Sequence, residues 1–242
     1  MLRTFFWFIY FWIYLVSIQP TLIKAKRLAK MGKTAEHDKI ISETAKRWAR
    51  SLIRCAGVIV VTTGNDKIPT EGAVLFASNH QGNFDIPILL GYVDKPKAFI
   101  AKIELLKLPM IRSWMAHMKC VFMDRSDIRQ SLRVINQAAE YLKEGYSMAI
   151  FPEGTRSKCE TMGTFKPGSL KLAWKAGVPI VPIAIRGSYK IMEQNGFIIK
   201  PARVEVSILD PIPTQGLTKE QVEELPERVK RVIEQGLYLP SK

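Results

Sequence analysis

Acidic residues and cysteines are scarce in this 242-residue chain. Its 22 Asp and Glu stand against 36 Lys and Arg, a formal net charge of +14, and no acid occurs before Glu36. A field of that sign draws anionic partners, whether nucleic acid, acidic lipid or acidic protein. The three cysteines, Cys55, Cys120 and Cys159, form no CxxC pair and no even-numbered framework. That excludes a disulfide scaffold and a cysteine zinc site, and it fits a reducing, cytosol-facing compartment. The three histidines show no HExxH or related ligand spacing, so no metal is expected. There is no GxSxG nucleophile elbow, no internal repeat, no low-complexity linker and no RNP-type signature, which leaves nucleic acid without support. At 47% hydrophobic and 24% charged residues the chain is not disordered, and a mean hydropathy of +0.01 is too low for a polytopic membrane protein.

What is present is unevenly spread. The chain has 11 Phe, 5 Trp and 7 Tyr, and eight of these fall between Phe5 and Tyr14. Residues 5–18 are uncharged, and as a helix they would reach about 21 Å at ~1.5 Å per residue, less than the ~30 Å of a bilayer core. They predict a helix lying in one leaflet, with Trp7, Tyr10, Trp12 and Tyr14 as interfacial rings. A buried core helix is one alternative; a signal peptide also competes, but residues 17–20 offer no small-x-small cleavage site and a basic cluster follows directly. Residues 36–54 repeat Ile41, Ala45, Trp48 and Leu52 at helical spacing among Lys46, Arg47, Arg50 and Arg54, an amphipathic basic helix that suits either the headgroup layer or the surface of a globular domain. Residues 1–57 therefore read as a membrane-associated helical motif of two helices, with 11 basic and 3 acidic residues, and 58–242 as a separate globular domain.

Beyond Gly57, short apolar or β-branched runs at 58–63, 73–77, 98–101, 120–123, 147–151, 180–185 and 204–209 read as strands. Between them 86–92, 104–117, 127–143, 168–176 and 219–234 read as helices. This alternation predicts an α/β fold, a central mixed and largely parallel sheet flanked by helices. Ligands of such sheets gather where strands give way to loops. Polar clusters stand at the predicted strand ends Asn79 to Asp85, Asp124-Arg125 and Phe151 to Ser157, with a less polar one at 178–182.

His80 lies just past a predicted strand, five residues before Asp85. A turn of that length can bring the carboxylate onto the imidazole and fix its tautomer, leaving the other ring nitrogen to take a proton from a hydroxyl. The same spacing also suits a hydrogen-bonded loop histidine with Asp85 capping the next helix. With no protein nucleophile in evidence, a basic His80 would activate a hydroxyl of the substrate. His37 and His117 have no such neighbourhood and read as structural or solvated. The run Glu153-Gly154-Thr155-Arg156 offers a close-approach backbone, a hydroxyl and a guanidinium for an anion. Arg125 is a second guanidinium for the same ligand, and Lys102 and Lys166 are weaker phosphate candidates.

These clusters resemble something specific. NHQGNFD at 79–85 is similar to the NHxxxxD motif of the glycerolipid acyltransferases, and VFMDR at 121–125, FPEGTRS at 151–157 and VPIVP at 178–182 resemble their second, third and fourth blocks in order and spacing. The resemblance covers roughly 73–185 and points to the 1-acyl-sn-glycerol-3-phosphate (lysophosphatidic acid) acyltransferases. It implies an enzyme that moves a fatty acyl group from acyl carrier protein or coenzyme A, as thioester co-substrate and without a cofactor, to the sn-2 hydroxyl of lysophosphatidic acid, giving phosphatidic acid. On that likeness His80 is the general base, Asp85 orients it, and Arg125, Gly154 and Arg156 bind the phosphate beside Thr155. Glu153 helps position the glycerol, Asn79 supports the loop, and Lys102 is a further phosphate contact. The implied location is the cytoplasmic face of the cell membrane, monotopic or peripheral. Glycerol-3-phosphate or another lysophospholipid is the alternative acceptor, and a non-catalytic membrane-binding scaffold the alternative class. Two departures stand out: Lys119 where glycine is common, and Gly82 where serine is common.

Overall fold

The computed structural model describes residues 1–238. The seven strand-like runs become seven strands of one sheet: β1 Ile59–Thr63, β2 Leu75–Ser78, β3 Ala98–Lys102, β4 Val121–Met123, β5 Met148–Ile150, β6 Ile180–Arg186 and β7 Arg203–Ile208. Their order is β1-β7-β6-β2-β5-β3-β4, and every neighbouring pair is parallel except β6 with β7. The expected mixed, largely parallel α/β sheet is therefore what forms. Its middle strands β2 and β5 are buried throughout, as near-continuous apolar runs covered on both faces must be. β7 alternates buried with more exposed positions and lies between the edge strand β1 and β6, antiparallel to β6 alone.

The helices follow their local signals. Asp127 caps α6, Ile128–Lys143, by accepting the Gln130 N–H at 2.9 Å. Thr218 and Gln221 form a capping box that starts α8, Lys219–Leu237. The helix expected over 104–117 divides into a 3-10 turn, Ile103–Lys107, and α5, Pro109–His117. Proline is suited to a first helical turn and disfavours helical backbone at the residue before it. The helix expected from residue 168 starts only as α7, Lys171–Ala176, because Gly168 has a φ of +76°. The remaining helix of the sheet domain, α4, is Asp85–Tyr92.

Before β1 lie α1 Leu2–Ser17, α2 Gln19–Lys30 and α3 Thr34–Cys55. α1 and α3 are the two expected helices; the basic stretch between them is itself helical. Because the chain breaks helix only at Ile18, the run Leu2–Lys30 is long and apolar enough to cross a membrane by length and composition, more than residues 5–18 alone imply. One side of α1 packs on the domain. Trp7 is buried and donates its indole N–H to the Leu52 carbonyl at 2.9 Å, Arg3 donates to the Ala56 carbonyl at 3.0 Å, and the Thr4 hydroxyl accepts the Ile199 N–H at 2.9 Å. The other side is bare: Phe5, Phe6 and Ile13 are 62%, 60% and 62% exposed. Apolar surface on that scale marks a contact with something other than water.

Candidate active site

β2, β5, β6, β3 and β4 run parallel, so their carboxyl ends share one edge of the sheet, and there the polar clusters meet. After β2 the chain turns through Asn79 to Phe84 and enters α4 at Asp85. Asn79 fixes this turn to β6: its amide donates to the Ile185 carbonyl and accepts the Ile185 N–H, both at 2.8 Å. Gln81 adds a second tie, its carbonyl accepting the Gly187 and Ser188 N–H groups at 2.9 and 3.2 Å.

The turn folds Asp85 back on His80. His80 Nδ1 lies 2.7 Å from Asp85 Oδ2, and the same oxygen accepts the Gly82 N–H at 2.8 Å. Ser188 donates its hydroxyl to the other oxygen, Oδ1. With three donors around it the carboxylate stands at the first position of α4, wholly buried, turned to the imidazole and not to the helix end as a cap. On one side the His80 ring stacks against Phe151 at 3.9 Å and 15°. Its Nε2 has no hydrogen-bond partner among the described residues.

The loop after β5 wraps the same residue. Ser157 N–H donates to the His80 carbonyl at 2.8 Å. Glu153 is buried, with Oε1 accepting the His80 N–H at 2.7 Å and Oε2 the Gly163 N–H at 2.8 Å. Burial pushes its carboxyl above the usual range, against the two amides that favour the charged form. Each oxygen thus accepts a backbone N–H, and Glu153 braces the loops around His80. Gly154 has a φ of +70°, and a Cβ there would lie 2.7 Å from Lys166 Cε, so the position needs glycine. Arg125, just past β4, donates to the Gly154 carbonyl and joins the two loops.

A cavity of about 500 Å³ opens beside His80. Lys102, Arg125, Thr155 and Arg156 line it, the Lys102 ammonium 2.5 Å from the Glu104 carboxylate. Asn83 and Glu104 line it too, and most of the remaining wall is apolar: Leu90, Phe99, Ile100, Met115 and Met118 from the sheet domain, with Leu15, Ile18 and Trp48 from the amino-terminal helices. Cys120 also lines it, its thiol pushed up to about 12 by burial, which makes it wall and not nucleophile. Among the described residues no three His, Cys, Asp or Glu side chains converge as metal ligands.

Sequence reasoning missed Ser188. The reading of 178–182 as a strand end places it at the wrong end: residues 178 and 179 precede β6 and 180–182 open it, and the carboxyl end of β6 is Arg186, followed by Gly187-Ser188. The strand-end rule, applied to the right end, finds the serine. Glu193 was missed as well, and it contacts Arg156. His37 and His117 are not separate either: His37 Nε2 meets His117 Nδ1 at 2.9 Å, joining α3 to α5. Lys119 stands at a φ of +63°, the left-handed region that explains a preference for glycine, with its ammonium over the rings of Tyr141 and Tyr146.

The family model described as Acyltransferase matches residues 59–186. A probable 1-acyl-sn-glycerol-3-phosphate acyltransferase of Mycoplasma pneumoniae is 34% identical over 198 residues, covering 80% of this chain and 73% of that protein. A probable 1-acyl-sn-glycerol-3-phosphate acyltransferase of Mycoplasma genitalium is 40% identical over 142 residues, 57% of this chain and 53% of that one, so the match spans only about half of its length. The crystal structure of the 1-acyl-sn-glycerophosphate acyltransferase PlsC from Thermotoga maritima superposes with a TM-score of 0.84 at 28% identity, covering 98% of this chain and 94% of that chain.

Proposed function

The chain belongs to the acyltransferase family, and from that premise we propose that it transfers a fatty acyl group from an acyl carrier protein or coenzyme A thioester to the sn-2 hydroxyl of lysophosphatidic acid, giving phosphatidic acid. One observation carries the reading: the His80–Asp85 pair opens on a cavity that has Lys102, Arg125 and Arg156, with Asn83, Glu104 and Thr155, among its polar lining and a mostly apolar remainder. Such walls suit an amphiphile with an anionic head and a hydrocarbon tail. The names of the relatives support the same substrate.

The chemistry needs no covalent acyl-enzyme. Asp85 holds the Nδ1 proton and Nε2 takes the proton of the sn-2 hydroxyl as its oxygen attacks the thioester carbonyl. The tetrahedral intermediate collapses, the C–S bond breaks, and the imidazolium returns the proton to the departing thiolate. Ser188 and the Gly82 amide keep the Asp85 carboxylate aimed at the ring throughout. Arg125 and Arg156 hold the acceptor's phosphate with Thr155, and Lys102 adds charge at the rim; the Gly154 backbone is taken up within the loops, its N–H by the Phe151 carbonyl at 3.0 Å and its carbonyl by Arg125. Residues 1–57 keep the enzyme on the cytoplasmic face of the membrane, where a single-chain lipid is presented from one leaflet.

Purified protein in mixed micelles, supplied with lysophosphatidic acid, glycerol-3-phosphate or other lysophospholipids and with each thioester in turn, tests the proposal. Phosphatidic acid formed from lysophosphatidic acid is the expected product. Turnover only with another acceptor would replace the substrate, and no turnover with any pair would leave a scaffold.

A further inference from the structure

Glu193 is a carboxylate that the reaction above does not use. It opens the 3-10 turn Glu193–Asn195 beyond β6, and its side chain has 0% exposure. Oε1 accepts the Asn83 N–H at 2.7 Å and lies 3.5 Å from Arg156 Nη1. Oε2 is buried with no hydrogen-bond partner. Space for it comes from Gly82, where a Cβ would stand 2.4 Å away. Arg156 Nη1 also donates to the Asn83 side-chain oxygen at 2.5 Å, so Asn83, Arg156 and Glu193 form one cluster at the rim of the cavity.

A buried carboxylate with an idle oxygen is costly, and a cation at its side is what offsets the cost. A guanidinium carries five N–H donors in a rigid plane. Holding Nη1 between Asn83 and Glu193 fixes that plane and leaves Nε and Nη2 for a ligand in the cavity. We infer that Glu193 is a positioning residue for the anionic head of the acceptor: it acts through Arg156, setting the guanidinium so that its unoccupied edge meets the phosphate. The inference rests on the acceptor reading given above. It also accounts for glycine at position 82, since any side chain there displaces the Glu193 carboxylate.

A double-mutant cycle tests it, because penalties of residues that act through one another do not multiply. With lysophosphatidic acid in mixed micelles and the thioester that supports turnover, E193A is expected to raise the acceptor KM on the order of tenfold, and R156A by at least as much. The donor KM should stay at the parental value in both. In the R156A background, E193A should add less than about twofold. E193Q keeps an acceptor for the Asn83 N–H while losing the charge; it should fold as the parent does by thermal melt and give an intermediate rise, and it decides the matter if E193A fails to fold. A parental or lowered acceptor KM in E193Q and E193A, or an E193A penalty that persists in full on R156A, overturns the inference while the phosphate site stands. A parental acceptor KM in R156A itself overturns the phosphate reading and the inference together.

Discussion

The indole of Trp7 packs 5.2 Å from the ring of Phe84, the residue directly before Asp85. The amino-terminal helix thereby reaches the turn that carries the His80–Asp85 pair, and the Trp7 N–H to the Leu52 carbonyl locks the approach. W7A is expected to cost about 3–5 kcal/mol of stability, the usual range for a buried large aromatic. Urea unfolding of the purified protein measures it, and a cost under about 1 kcal/mol would mean that the helix rests on the domain without being part of its core.

The bare side of α1 behaves differently. Replacing Phe5, Phe6 and Ile13 together by serine removes exposed apolar surface only, so the melting temperature should hold within about 2 °C while binding to anionic phospholipid vesicles falls at least tenfold. Cosedimentation at matched lipid concentration gives the comparison; undiminished binding would move the membrane contact elsewhere.

H80A is expected to lower kcat by about 10²–10⁴-fold, the usual worth of a positioned general base, and to lower the melting temperature as well, because the buried Asp85 carboxylate loses a partner. Ser188 sits one step behind it, so S188A should lower kcat roughly tenfold and leave both KM values near parental, because the hydroxyl is spent on Asp85. Steady-state kinetics with both substrates varied separates these effects. A KM change without a kcat change in S188A would remove it from the catalytic chain.

R125A is expected to raise the acceptor KM by roughly tenfold or more with the donor KM unchanged, since the proposed charge-assisted phosphate contact goes with it. Its hydrogen bond to the Gly154 carbonyl goes too, so R125K is the informative partner. Lysine restores the charge but not the fork, and it should recover only part of the loss.

Lys97 is fully buried, donates to the Leu89 and Val93 carbonyls at 3.1 and 2.9 Å, and has its pKa pulled from 10.5 to about 7, chiefly by burial with the nearby Lys46 charge adding to it. Between those two values the unfolded chain binds the extra proton, so this residue's contribution to stability rises as pH rises from about 7 to 10.5 and is flat below. K97M, which fills similar space without a charge, should remove that slope and be at least as stable as the parent at pH 6. Urea midpoints at pH 6, 7.5 and 9 read both effects; an unaltered slope in K97M would assign it to another group.

The sequence by itself determined the strand runs, the helical periodicities and the polar clusters at strand ends. Those signals are local: β-branched residues over four to six positions, Trp48 and Leu52 one turn apart, His80 five residues from Asp85. Local signals also carried the amphipathic α3 and the aromatic α1, whose apolar run is a matter of composition alone. Where a backbone limit intervened, periodicity overran it, as at Pro109 and Gly168.

Only the tertiary structure decided which clusters meet and what each residue faces. Parallel pairing of β2 with β5 and β6 brings residues 79–85, 151–157 and 187–188 to one edge, although 103 residues separate Asp85 from Ser188. The same long-range packing put Glu153 onto two backbone amides, and it set Glu193 behind Arg156 in the space that Gly82 leaves. Such placements arise from strand order and from the need of buried polar atoms for partners, and neither is written in the spacing of neighbours along the chain.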